Sequence, residues 1–413
     1  MLPKELIIAR PGYLDWLTRW REQQIIKVVS GVRRSGKSTL FELYRNSLCA
    51  AGVQPRQIQT YNFEDVEFED LTDYRKLYDH ITSRLVKTKM NFIFLDEVQH
   101  VANFEKAVDS LFLKKNCDVY ITGSNAYFMS GDLATLLSGR YVELRMLPLS
   151  FAEYCSGARM PGHALSPEEL FSRYMELGSF PFILRFGQGR QESAQYLRDL
   201  YNTVLLKDIV ARLRISDVNT FENVAKFMLH AIGSPVSPMK IANTLKSSGK
   251  SVDQKTVDKY LRGLTDSLIL YEAPRFNIKG RQFLTSNSKY YAVDTALRNV
   301  LVRGAESDAG HILENIVYLE LLRRGNRVFV GVMSDGGEVD FVTEKDGSLA
   351  YYQVSATTLD EHVLKRELQP LQRIPDSHPK YLLTLDKVFG NADYDGIKKR
   401  NVLEWLSGDG EKR

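Results

Sequence analysis

Residues 31–38 read Gly31-Val32-Arg33-Arg34-Ser35-Gly36-Lys37-Ser38: two glycines with four residues between them, then a lysine and a hydroxyl side chain. Few eight-residue strings constrain a fold as tightly. The glycines let the backbone turn until its N–H groups face one point, and a helix starting there aims its positive end at the same point. Such a loop needs a strand before it and a helix after it. Ile25-Ile26-Lys27-Val28-Val29 is a short β-branched run, and Lys37 to about Cys49 carries apolar Leu40, Phe41, Leu43, Tyr44 and Leu48 at helical spacing. The pattern predicts a phosphate site. Gly31, Arg34, Ser35, Gly36, Lys37, Ser38 and Thr39 are its candidate contacts, Lys37 reaching the β- and γ-phosphates of ATP and Ser38 ligating Mg²⁺.

The same alternation continues to about residue 150. Strands are expected at 58–63, 91–95, 119–122 and 141–147, with helices at 73–86 and 104–112 between them. Asn91-Phe92-Ile93-Phe94-Leu95 is apolar throughout, as suits a central parallel strand buried on both faces. The expected fold class is α/β, with a parallel sheet of the P-loop NTPase type in residues 1–150.

An ATP-hydrolysing site needs an acid at the end of a second buried strand, and Asp96-Glu97 stand there. Asp96 is the candidate Mg²⁺ holder through water and Glu97 the candidate for polarising the attacking water. The plainer alternative is a pair of helix-capping acids. After the next strand, Thr122-Gly123-Ser124-Asn125 places Asn125 or Ser124 where a polar group orients water or senses the γ-phosphate, unless it is an ordinary turn and cap. Arg140, before the last strand, is a candidate arginine finger acting in cis or across a subunit boundary; a surface ion pair is the competing role.

These strings together, with Tyr61-Asn62-Phe63-Glu64-Asp65, Phe94-Leu95-Asp96-Glu97-Val98-Gln99 and Leu147-Pro148-Leu149-Ser150-Phe151, resemble a large prokaryotic family of AAA+-type P-loop ATPases. The resemblance spans nearly the whole chain. It implies a core with an extra central strand, then a helical region, a winged helix and a smaller nuclease-like α/β domain of unassigned function. The expected divisions are 1–150, 151–232, 233–286 and 287–405.

Residues 237–245 and 251–264 follow helix-turn-helix grammar, with Ile269-Leu270-Tyr271 and Phe283-Leu284 as wing strands. Nine basic residues against four acidic ones between Lys240 and Arg281 suit DNA phosphates, though a solvated face carries the same signature. Further on, Glu314 on a helix, Asp340 on a strand and Gln353 on the next resemble the PD-(D/E)xK arrangement, which converges oxygen ligands on Mg²⁺. Here an amide replaces the second carboxylate and Ser355 replaces the lysine, so a degenerate docking domain is the expectation and an ATP-regulated nuclease the alternative.

The rest of the composition narrows the class. The formal net charge of +4 is too small to mark the whole chain as a nucleic-acid binder. Cys49, Cys117 and Cys155 form no metal-ligand spacing. No apolar run approaches the roughly 18–20 residues that span a bilayer. The expected protein is a cytoplasmic ATPase using ATP and Mg²⁺, acting on or with nucleic acid, with homo-oligomeric assembly plausible for a finger in trans and no membrane partner. A nucleotide-dependent switch with protein partners is the second expectation.

Overall fold

The computed structural model describes residues 7–124, 137, 139–158, 165–187, 189–247, 249, 252–302, 308–333 and 336–408. The chain divides into two compact units, residues 1–148 and 149–413.

In the first unit a helix, α1 (Pro11–Arg19), precedes β1 (Ile26–Gly31), the phosphate loop and α2 (Lys37–Ala50). Then come β2 (Ile58–Asn62), α3 (Tyr74–Ser83), β3 (Asn91–Asp96), α4 (Phe104–Phe112), β4 (Cys117–Ser124) and β5 (Tyr141–Met146). The five strands are parallel in the order β2-β3-β4-β1-β5, so β4 is inserted between the loop-bearing strand and the acid-bearing one.

Successive side chains of a strand point to opposite faces, and both faces are covered here. Ile26, Val28, Ile93, Leu95, Val119 and Ile121 pack with Leu77, Ile81, Val108 and Leu111 of α3 and α4. Val29, Phe92, Phe94 and Tyr120 pack with Leu17 of α1 and Leu40, Phe41, Tyr44 and Leu48 of α2. Each such side chain, fully buried, contributes about 1.5–3 kcal/mol. That double cover is why the strands read as apolar runs. Lys27 interrupts its run at the sheet's far end, where its ammonium is ion-paired with buried Asp118 and donates to Gln23 O at 2.7 Å.

The second unit begins with α5 (Phe151–Gly157), α6 (Pro167–Leu177) and α7 (Arg190–Thr203), whose helical path widens into a π-helical stretch over Val204–Val210. Next are α8 (Val218–His230), α9 (Pro238–Ser247), α10 (Gln254–Asp266), β6 (Leu270–Asn277), β7 (Gln282–Ala292), α11 (Thr295–Leu301) and α12 (Ala309–Arg323). The unit closes with β8 (Arg327–Val332), β9 (Glu338–Lys345), β10 (Ser348–Ser355), α13 (Glu361–Gln372), β11 (Lys380–Thr384), β12 (Ala392–Tyr394), β13 (Ile397–Asn401) and α14 (Val402–Leu406).

Its mixed sheet has the order β12-β13-β11-β10-β9-β8-β6-β7. The hairpin expected as a wing, β6–β7, is therefore part of that sheet: β6 pairs in parallel with β8 through Arg275–Val330, Phe276–Gly331 and Asn277–Val332. An expected boundary at residue 286 falls inside β7. Among the described residues no helix is long and apolar enough to cross a membrane.

Candidate functional site

β1 delivers the phosphate loop at its C-terminal end. A Cβ on Gly31 would stand 2.5 Å from the Met146 carbonyl oxygen of neighbouring β5, so only glycine lets the two backbones approach this closely. Gly36 caps α2 in a left-handed conformation, φ +101°, and supplies no side chain to the helix's first N–H groups. Those groups have no partner within the helix either, so a fourteen-residue helix presents an uncapped positive end to the loop. An oxyanion fits there.

Lys37 lies beneath the loop, 4 % exposed. Its ammonium donates to Gly31 O at 3.0 Å and Val32 O at 3.4 Å, and stands 3.6 Å from Glu97 Oε1. Asp96 ends β3, buried, and accepts hydrogen bonds from the hydroxyls of Ser38 and Thr122. Burial pushes its carboxyl above the ordinary 3.8; the two hydroxyls and the Lys37 charge act the other way. Ser38 and Asp96, the two residues expected to hold Mg²⁺, are thus in direct contact, and a hydroxyl beside a carboxylate is a fitting oxygen pair for it. Glu97 follows in a left-handed conformation, φ +53°, which turns its side chain toward Lys37. Gln99 Nε2 donates to its Oε2 at 2.6 Å.

Three residues join this site that the sequence reading did not single out. Thr122, fully buried on β4, donates to Asp96 and accepts the Glu97 N–H at 3.0 Å, so one hydroxyl sets both acids. Pairing β4 beside β3 is what sets Thr122 against the acid pair. Gln99 is the second. Arg10 is the third, donating to Ser35 O at 3.2 Å and Leu147 O at 2.8 Å, with its guanidinium 4.7 Å from the Tyr13 ring centroid. No local pattern marks it, because its partners are backbone carbonyls 25 and 137 residues away. Thr39 is exposed on the first turn of α2, and Arg34 takes a left-handed conformation at φ +65° in the loop. Asn125 lies outside the described residues.

Arg140 requires a correction. Tyr141 pairs with Ile26 and Met146 with Gly31, so Arg140 precedes β5 at the end of the sheet opposite the loop. Its guanidinium stands 3.5 Å from Asp109 and 5.5 Å from the Phe112 ring centroid. A six-residue strand separates it from the phosphate site, roughly 17–20 Å at the usual rise. A finger acting in cis is excluded by that length.

In the second unit, Glu314 on α12 is buried, Asp340 lies on β9 and Gln353 on β10, as expected. Their contacts differ from a ligand set. The Lys289 ammonium on β7 stands 3.0 Å from Glu314 Oε1 and 2.6 Å from Glu338 Oε1. Tyr291, two residues on and so on the same strand face, donates to Glu314 Oε1 at 2.6 Å. Asp340 Oδ2 accepts the Val354 N–H at 2.8 Å. Gln353 accepts the Asp340 N–H at 3.3 Å and donates to Glu367 Oε2 at 2.9 Å, which occupies its amide elsewhere. Burial, and next the Glu314 charge, hold the Asp340 carboxyl well above the ordinary range. Burial works to lower the Lys289 ammonium, but Glu314, Asp340 and Glu338 together raise it. Among the described residues no three His, Cys, Asp or Glu side chains are placed to hold a metal.

The strand order, the uncapped loop helix and the joined Lys37–Ser38–Asp96–Glu97 set define a P-loop NTPase fold. Residues 23–155 match the AAA domain family and residues 168–308 a domain of unknown function. The chain belongs to one family with an uncharacterized protein of Haemophilus influenzae, 36 % identical over 401 residues that cover 97 % of this chain and 98 % of that one. An uncharacterized protein of Methanocaldococcus jannaschii is 27 % identical over 333 residues, 77 % of this chain and 71 % of the relative. The Walker-type ATPase PABY2304 of Pyrococcus abyssi shares the fold, with a TM-score of 0.50 at 15 % identity, over 71 % of this chain and 96 % of that one.

Proposed function

We propose that the chain is a Mg²⁺-dependent ATPase working on or with nucleic acid. The observation that carries the ATPase reading is the convergence of Lys37, Ser38, Asp96 and Glu97 on the uncapped end of α2. Lys37 leaves the loop carbonyls for the β- and γ-phosphates. Ser38 and Asp96 would hold Mg²⁺, which would neutralise phosphate charge as it develops. Glu97 takes the proton of the attacking water, with Thr122 holding its backbone and Asp96 in register.

The nucleic-acid part rests on charge placement. Lys255, Lys259 and Arg262 are exposed at positions i, i+4 and i+7 of α10, on one face of the helix. Lys279, Arg281 and Phe283, 53 % exposed, stand at the tip of the β6–β7 hairpin. Cations with an exposed ring suit phosphates and a stacked base.

One observation favours a slow nucleotide switch as the second reading. Glu97 is engaged by Gln99 and Lys37 rather than held open for water, an arrangement a partner would have to release. The finger role of Arg140 survives only from a neighbouring copy.

The test is ATP turnover by the full chain with Mg²⁺, with and without single- and double-stranded DNA at stepped salt. Lys37→Ala loses ATP binding. Glu97→Gln keeps binding and loses about 10²–10⁴-fold in turnover, the usual worth of a positioned base. Normal turnover by Glu97→Gln removes it as the base. Stimulation by DNA that fades with salt supports the nucleic-acid reading; turnover indifferent to DNA supports the switch.

A further inference from the structure

The Glu314 cluster carries an inference independent of the ATPase reading. Four side chains from three elements meet there: Lys289 and Tyr291 of β7, Glu314 of α12 and Glu338 of β9. Asp340 of β9 adds its field. Lys289 is 4 % exposed, and its ammonium forms two ion pairs, at 3.0 and 2.6 Å. Glu314 Oε1 serves Lys289 and Tyr291 at once. The other oxygen of Glu314 is closed over by backbone. A Cβ built on Gly233, φ +71°, would lie 3.3 Å from Glu314 Oε2 and 2.5 Å from His311 Cδ2. Gly233 N donates to Tyr290 O and Val236 N to Ser288 O, both at 3.0 Å, so the segment crossing that oxygen is laced to β7 on either side of Lys289.

We propose that Lys289 is the permanent cation of this cluster: its ammonium pairs with Glu314 and Glu338 and holds the cluster's carboxylates in an arrangement that is closed to metal. A buried carboxylate group of this kind needs a positive partner. A divalent ion needs six or more oxygens at about 2.0–2.6 Å, drawn from the same atoms that now face the ammonium. The oxygens that the ammonium engages are not free to complete that shell. Lys289 is tethered by its own strand, whereas a metal ion must arrive from solution, so the covalently attached charge prevails. The consequence is that this cluster supports no metal-dependent phosphodiester cleavage. The cluster instead ties β7, β9 and α12 together.

The proposal predicts a latent site uncovered by deleting one charge. The full chain carrying Asp96→Asn, which silences the phosphate-loop metal position, is titrated with Mn²⁺ without nucleotide and followed by electron paramagnetic resonance. It takes up no Mn²⁺ at the cluster. Adding Lys289→Met, whose side chain is similar in length but uncharged, lets the carboxylates, which do not converge on a metal as they stand, close on one Mn²⁺ per chain, and further adding Glu314→Gln abolishes it. A folded Lys289→Met protein, judged by its melting curve, that acquires no Mn²⁺ overturns the proposal. So does one Mn²⁺ bound by Asp96→Asn alone and lost on adding Glu314→Gln. The second comparison needs no Lys289 variant and decides the matter even where Lys289→Met does not fold. DNA cleavage by the wild-type chain in Mg²⁺ or Mn²⁺ that disappears with Glu314→Gln overturns it as well.

Discussion

Thr122 carries more of the nucleotide site than its size suggests. Its hydroxyl donates to one acid and accepts the backbone N–H of the other, and it is fully buried, so water cannot replace either bond. Thr122→Val keeps the shape and removes both. An unsatisfied buried polar group costs about 1–3 kcal/mol. If that cost falls on the arrangement of Asp96 and Glu97, turnover drops by roughly 5–150-fold. ATP binding, carried by the loop and Lys37, changes much less. Steady-state turnover beside a direct ATP-binding titration separates the two, and equal losses in both place Thr122 in binding instead. At this scale the glycine-lysine string was the legible part. Its residues need only local backbone geometry, and a short string encodes that. Thr122 and Arg10 were not legible, because what defines them is which distant segment lies beside them, and Gln99, only two residues from Glu97, carries no pattern that marks it. Arg140 shows the reverse error: in a parallel sheet the phosphates lie at the C-terminal ends of the strands, so its place before the last strand already put it at the far end.

Elements were easier to read than their partners. β1 and β3 announced themselves as apolar runs because both faces are covered, and their C-terminal ends hold the loop and the acids. The hairpin β6–β7 was legible as a hairpin but not as part of a larger sheet, since alternation reports a half-buried strand without naming its neighbour. The loops after β10 and β11 give this scale a pH-dependent test. Asp386 accepts from Thr357 Oγ1 at 2.6 Å, from the Thr358 N–H and hydroxyl at 2.9 Å, and from the Lys399 ammonium at 2.8 Å. Burial pushes its carboxyl up, but those donors outweigh burial and hold it well below the ordinary 3.8. A folded-state value below the unfolded one stabilises above the unfolded value and is lost as pH falls toward the folded one. Asp386→Asn therefore costs about 3 kcal/mol at neutral pH, by leaving the Lys399 ammonium buried and unpaired. The gap between variant and wild type closes as pH drops below 3.8. Denaturant melts at stepped pH measure it, and a gap that holds constant into acid removes Asp386 as its source.

For the whole molecule, the expectation of an α/β fold with a parallel P-loop sheet first and a further α/β domain toward the C-terminus matches the architecture, and the structure adds that the second sheet is mixed. The second unit was harder to divide because its strands are not consecutive. β7 runs at one edge of the eight-stranded sheet beside β6, and β6 lies next to β8, which begins some fifty residues further on. The short bridge between Pro235 and Lys289 adds residues 233–236 to that edge.

That stitching decides where the chain tolerates being cut. A recombinant piece ending at residue 286 would carry half of β7 and none of β8, exposing the unpaired edge of β6 with Phe276 bare of Phe329. A piece beginning at 287 would lose β6 as the neighbour of β8. Both halves should come out of expression hosts as aggregate, whereas residues 149–413 made as one piece should be recovered folded, with a single sharp calorimetric peak. Anyone trimming this protein for crystals or for partner screening should place the scissors near residue 148 and leave the remainder whole.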